Sequence, residues 1–211
     1  MDVLRMLEVL TDPNGFFKRK SEEDIEFKTP LIIVTILAIV GAISAFIISQ
    51  SVIEALPPEA SAFAGIGAAF GAIAAFIMTF IMWVIYSGIF YLISMVFNGE
   101  GSFKRVLEFV SYGFIPSIIS SAISTYYTSR IYSNIDWSAD PQVLQEALLS
   151  DPSLQIAGII GILFLLWSAN IWIFAIVHSR NLSVKDAAIT VGIPILLYVL
   201  YNLYQLRIFG V

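Results

Sequence analysis

The sequence predicts an all-α polytopic membrane protein: five transmembrane helices, an N-terminal amphipathic helix and a short helix in an outside loop. Three observations carry that prediction. Residues 29–53, 60–99, 109–129, 153–177 and 187–206 contain no Asp, Glu, Lys or Arg, and each run exceeds the roughly 20 helical residues that cross a hydrocarbon core of about 30 Å. Hydrophobic residues make up 58% of the chain and charged residues 13%, with a mean hydropathy of +0.86; globular chains carry about 25% charged residues, so a water-soluble fold is excluded. The third observation is how the bases divide between the two sides of the membrane.

With the N-terminus inside, the inside segments hold Arg5, Lys18, Arg19, Lys20, Lys28, Lys104, Arg105, Arg180 and Lys185, and the outside segments hold only Arg130 and Arg207. Basic short loops remain cytoplasmic, so the expected topology is a cell-membrane protein with a cytoplasmic N-terminus and an outside C-terminus. Asn181-Leu182-Ser183 matches a glycosylation triplet, but this topology keeps it cytoplasmic and unmodified. No cleavable leader opens the chain, so the first span is expected to act as its own insertion signal.

Residues 1–29 form a cytoplasmic segment ahead of a transmembrane domain over 30–208. Val3, Leu4, Met6, Leu7, Val9 and Leu10 follow a helical period between Asp2, Arg5 and Glu8, which predicts an amphipathic helix ended at Asp12-Pro13. Phe16 and Phe17 with Lys18 and Arg19 then make an aromatic and basic cluster, a candidate contact for a partner or for lipid headgroups.

The spans are expected at about 30–52, 64–97, 106–126, 154–177 and 187–207. Pro30 suits the first turn of span one. The second run is too long for a simple crossing, so it must tilt, protrude or break, and Gly65, Gly67 and Gly71 mark the expected place. Gly67, Gly71 and Ala75 form a small-xxx-small row, the candidate helix-packing face. Ser102 is placed to cap span three, and Pro116 should kink or break it. In the outside loop, Asp140-Pro141 should open a short surface helix and Asp151-Pro152 should open span four. Pro194 lies within span five.

Chemistry is scarce. The chain has no cysteine and one histidine, which removes thiol chemistry and leaves a protein-only zinc site poorly supplied. No H-E-x-x-H, serine elbow or pair of buried aspartates is present. The expectation is a non-enzyme without cofactor or metal. The net charge of −5 speaks against nucleic acid as a partner. Ionisable groups near the membrane are functional suspects, and Glu108 and His178, both at the cytoplasmic end, are the candidate polar or proton-relay pair.

Three segments together resemble the Yip family, the Ypt-interacting proteins. Leu10-Thr11-Asp12-Pro13 with Phe16-Phe17 is similar to the family's opening motif. Gly101-Ser102-Phe103-Lys104-Arg105-Val106-Leu107, leading through Tyr112-Gly113 to Pro116, is similar to its most recognisable stretch. Trp167 through Trp172 to His178, then Leu182-Ser183 and Ala187-Ala188, is the third. The resemblance implies five spans, a cytoplasmic N-terminus and a membrane-organising or partner-binding role. In eukaryotic members it implies contact with small Rab-type GTPases. This chain looks closer to the short prokaryotic or archaeal branch, without the long cytoplasmic N-terminal region, so GTPase binding is not carried over.

The expected function is therefore a membrane scaffold or adaptor of the Yip type. Its candidate partner or lipid contacts are Phe16, Phe17, Lys18, Arg19, Gly101, Lys104 and Arg105. Its expected partners are the lipid bilayer, a protein at the cytoplasmic face and a second copy of the chain. The alternative is a transporter, channel or lipid-moving protein, because Pro116, Pro194 and the glycine run could interrupt helices around a midplane site.

Overall fold

The computed structural model describes residues 3–53, 58–135, 139–140, 142–143 and 151–205. Among these residues the chain forms helices and no strand, as the composition requires. Two short helices come first, α1 (Val3–Thr11) and α2 (Pro13–Ser21). Asp12 separates them and caps α2 by accepting a hydrogen bond from the Gly15 N–H at 2.9 Å, with Pro13 in the first turn. The bundle follows: α3 (Lys28–Ile53), α4 (Pro58–Val96), α5 (Phe103–Tyr112), α6 (Ile115–Asn134), α7 (Pro152–Arg180) and α8 (Val184–Gln205).

Four helices, α3, α4, α7 and α8, are each long and apolar enough to cross a membrane, and α5 with α6, bent by 44°, makes up to a fifth when the pair is taken as one span. The bend falls at Gly113 and Phe114, just ahead of Pro116, which sits in the first turn of α6. There its missing N–H costs nothing, because the first turn of a helix has no internal partner for that group. Asp151 caps α7 by accepting from the Ser153 N–H at 2.7 Å. The expected outside-loop helix falls mainly on 144–150, outside the described residues; only its approach is visible, where Asp140 Oδ1 accepts from the Gln142 N–H at 3.0 Å.

Two expectations about helix continuity are corrected. The long second run does not break at its glycines: α4 is one helix of 39 residues, about 58 Å at 1.5 Å per residue, so it overreaches a bilayer core. Pro194 likewise lies inside an uninterrupted α8. The small-residue row is corrected too. Gly67 and Gly71 are exposed, and a Cβ placed on either would meet nothing within 4 Å, so Gly67, Gly71 and Ala75 are no packing face within this chain. Ala68 is the buried residue of that turn, at 4% exposure; one residue rotates a helix by about 100°, enough to turn the glycines away from α3, the main neighbour of α4.

Neighbour relations arrange the spans as a ring: α4 beside α3, α3 beside α6, α6 beside α7 and α7 beside α8, with α8 returning to α4 through a much smaller contact. The dense part of the core lies where α5 wedges among α3, α4 and α7. Its centre is Trp172, 1% exposed. The indole stacks on Tyr86 at 5.3 Å between centroids and meets Phe114 edge-on at 5.4 Å, while its N–H donates to the Val110 carbonyl at 2.8 Å. That carbonyl lies in the last turn of α5 and also accepts from the Gly113 N–H at 3.2 Å.

The bend requires a residue with no side chain. A Cβ on Gly113 would lie 2.0 Å from Trp172 Nε1. Gly113→Ala should therefore destabilise the detergent-solubilised protein by about 1–3 kcal/mol through overpacking, read as a lower thermal midpoint. Gly71→Ala, facing open space, should fall within about 0.5 kcal/mol of wild type; equal losses for the two variants would contradict the assigned packing.

Candidate functional site at the N-terminal end of the bundle

Most sequence-selected residues gather at one end, where α1, α2, the linker 22–27, α5 and the α7–α8 turn meet. Ser102 caps α5, its hydroxyl accepting from the Arg105 N–H at 3.3 Å. Three residues later on this short helix, Arg105 and Glu108 share a face. Glu108 is fully buried. Its Oε2 takes a hydrogen bond from Arg105 Nη1 at 2.9 Å, and its Oε1 takes one from the Glu26 N–H at 3.2 Å and lies 3.6 Å from Lys20 Nζ. An isolated buried carboxylate costs several kcal/mol; two cations and two hydrogen bonds compensate this one.

The network spreads through the cations. Lys20, 7% exposed, also donates to Glu23 Oε2 at 2.8 Å and lies 3.8 Å from Glu26 Oε2. Burial works to lower the Lys20 pKa, but the Glu23 hydrogen bond and the fields of Glu108, Glu23 and Glu26 outweigh it, so the ammonium is held above its ordinary value. Arg105 donates to the backbone carbonyls of Lys20 at 3.4 Å and Glu23 at 2.6 Å and lies over the Phe109 ring. The irregular linker is thus fixed by side chains from two helices.

Beneath these charges lies an aromatic layer. Phe16 and Phe17 are 5% and 0% exposed; Phe17 packs on Phe109 at 4.9 Å and Phe16 against Tyr112 at 5.0 Å. The expectation that these two phenylalanines contact lipid or a partner is corrected: they anchor α2 to the bundle, because the capped turn at Asp12 aims that face inward. Lys18, Arg19 and Lys104 are exposed, and Arg19 is ion-paired with Glu8.

Glu108 and His178 do not form the suspected pair. Glu108 is spent on Arg105 and Lys20, and His178 Nε2 lies 2.8 Å from Asn14 Oδ1. Both groups sit at the same end of the bundle, but α2 inserts its own partner for each. On the same flank, the Trp167 indole N–H donates to the Leu10 carbonyl at 3.2 Å, holding α1 along α7.

A second lock went unrecognised in the sequence. Arg180, 3% exposed, ends α7 and donates to the carbonyls of Gly99 and Gly101 and, at 2.9 Å, to Ser94 Oγ; its guanidinium stacks 4.4 Å from the Tyr91 ring. The Glu100 N–H returns a bond to the Arg180 carbonyl at 2.8 Å. Gly101 has φ +115 and approaches Ser179 so closely that a Cβ would lie 2.3 Å from the Ser179 carbonyl oxygen. Gly101 therefore serves this turn rather than a partner. Asn181 ends α7 in a left-handed conformation, φ 52, a C-cap role that its glycosylation-like triplet concealed.

Among the described residues, no cluster of His, Asp and Glu could hold a metal. The site's ion pairs are mutually satisfied, which suits it to holding segments together.

Glu108→Ala should cost about 1.5–3 kcal/mol, because Arg105 loses its charged acceptor and the Glu26 N–H its partner while Lys20 keeps Glu23 and Glu26, whereas Lys104→Ala should cost under about 0.5 kcal/mol; denaturant titration in detergent compares them. The Lys20 contribution has a definite sign with pH. A raised folded-state pKa stabilises fully below the unfolded value near 10.5 and is lost as pH climbs through the folded value. Wild type should lose stability across that alkaline range more steeply than Lys20→Met, and parallel curves would remove Lys20 from the network.

Comparison with known proteins agrees with this geometry. The Yip1 domain model matches residues 7–204, a range that includes α2, α5 and the α7–α8 turn. An uncharacterized protein of Methanocaldococcus jannaschii is 38% identical over 134 residues, covering 62% of this chain and 95% of the relative. No solved structure matches the chain. The bent α5–α6 pair, the Gly101 and Gly113 contacts and the α2 anchor all fall within the matched residues, and the chain belongs to the Yip1 domain family of multi-pass membrane proteins.

Proposed function

We propose that this protein is a non-catalytic membrane scaffold or adaptor that engages partners through the end carrying α1, α2 and α5, and that this end faces the cytoplasm of a cell-membrane protein whose C-terminus is outside. One observation carries the proposal: exposed Lys18, Lys104 and Lys185 stand on the part of the chain that the two ionic locks hold most firmly. A preorganised charged surface loses little entropy on binding, and it can steer partners through its field. The nine-to-two division of bases supports the orientation. Arg105 belongs to the support rather than the surface, so the exposed lysines are the recognition residues.

The absence of cysteine makes the topology directly testable. Lys104→Cys should resist a membrane-impermeant maleimide applied to intact cells and react after permeabilisation, while Ser129→Cys should react in both; the opposite pattern would invert the orientation. Photocrosslinking from position 18 in native membranes should yield a discrete partner band that falls at least five-fold in Lys104→Ala. A pattern identical to that of an unrelated five-span control would sink the scaffold reading.

A further inference from the structure

The spans line a cavity of about 510 Å³, open on one side, between α6, α7, α8 and Tyr86 of α4, which runs from the α5–α6 bend along α6. Its most telling wall is α6, which presents Ser117, Ser120, Ser121, Ser124 and Thr128. These positions are offset by 3, 4, 7 and 11 residues from the first, so they form a single helical stripe.

Hydroxyls in apolar helices ordinarily satisfy themselves on the carbonyl one turn back. Ser44, Ser49, Thr79, Ser87 and Thr190 all do so here, and Thr125, on α6 itself, donates to the Ser121 carbonyl at 2.7 Å. None of the five cavity hydroxyls makes such a bond among the described residues. Five hydroxyls that face one space and find no such bond among the described residues offer themselves to a polar partner in that space.

The remaining walls define that partner. Phe114 and Trp172 close the cavity at the bundle centre, and Ala157, Gly161 and Leu165 of α7 face the hydroxyl stripe with apolar surface. Tyr198 and Asn202 add polar atoms from α8. Among the described residues no Asp, Glu, Lys or Arg lines the cavity, so a charged headgroup would find no counter-ion among them. The volume falls within the range of about 300–1,000 Å³ typical of small-molecule sites. The lean contact of α8 with α4 leaves the weakest seam in the ring, the natural way in from the bilayer.

We propose that this cavity is a binding site for a neutral lipid whose hydroxyl or ester group lies along the α6 stripe and whose hydrocarbon lies against α7. This site is separate from the charged end and does not depend on the adaptor reading. The test uses full-length protein in phosphatidylcholine vesicles and monoolein carrying a chain diazirine. Photolabelling should map by mass spectrometry to α6 and α7 positions lining the cavity. Excess unlabelled monoolein should compete, while oleate at a pH where its carboxylate is ionised should compete at least ten-fold less well.

Two variants separate occupancy from folding. Gly161→Leu fills the space, and a Cβ at Gly161 meets no atom within 4 Å, so it should cut labelling at least five-fold with an unchanged thermal midpoint. Ser117→Ala/Ser121→Ala/Ser124→Ala keeps the shape but removes three hydroxyls; it should cut labelling at least three-fold and decides the matter alone if Gly161→Leu fails to fold. Labelling spread over the outer face of α4, equal competition by ionised oleate, or undiminished labelling in the triple variant would each overturn the site and leave the cavity as water-filled or bulk-lipid space.

Discussion

The burial of the Glu108 carboxylate is the constraint on which the N-terminal half of the structure depends. A membrane protein can lower the cost of such a group by exposing it at a helix end, yet here it is fully covered. Covering it requires counter-charges from two directions. Arg105 arrives from the same helix, one turn earlier, and Lys20 must come from α2. Bringing Lys20 into place seats Phe16 and Phe17 in the aromatic layer, fixes the linker 22–27 through its carbonyls and draws α1 along α7. The ionic network and the apolar burial of α2 therefore reinforce each other, because neither geometry is available without the other.

A second physical theme is the use of glycine to bring a large group against the backbone. At the α5–α6 bend, Gly113 leaves room for Trp172, and the tryptophan donates to the Val110 carbonyl beside the Gly113 N–H. At the α4–α5 turn, Gly101 lets the chain reach the end of α7, where Arg180 collects the carbonyls that irregular backbone leaves free. Both are answers to one problem, that backbone polar groups near the membrane must find partners within the protein. The glycines of α4 do something different: they face outward and leave that helix without a packing role for them inside the chain.

Charge-free runs located the long apolar helices because the bilayer imposes length and apolarity directly on sequence. Ser102 and Asp151-Pro152 were legible as caps because capping is local, set by one side chain and the next turn, whereas Asp12-Pro13 read as a helix end and proved to cap α2 as well. The Gly67, Gly71 and Ala75 row was misread because small-residue spacing reveals a smooth face without revealing what lies opposite it. Phe16 and Phe17 were misread for a related reason: an aromatic pair beside lysines has the same composition whether it meets lipid or its own core. Arg180 drew no attention, since a base after an apolar run is also the ordinary topology signal.

By itself the sequence determined the helical class, the long apolar helices, the division of bases along the chain and the short supply of catalytic groups, all consequences of composition and local periodicity. Only the tertiary structure decided which charges meet. Glu108 and His178 have no spacing in the chain that relates them to Lys20 or Asn14; those partners are selected when α2 folds back over the bundle. The hydroxyl stripe of α6 obeys the same rule, for its periodicity is written in the sequence while the cavity it faces is made by three other helices. Contacts between residues distant in the chain depend on packing, and packing is settled by shape after the membrane has fixed the helices.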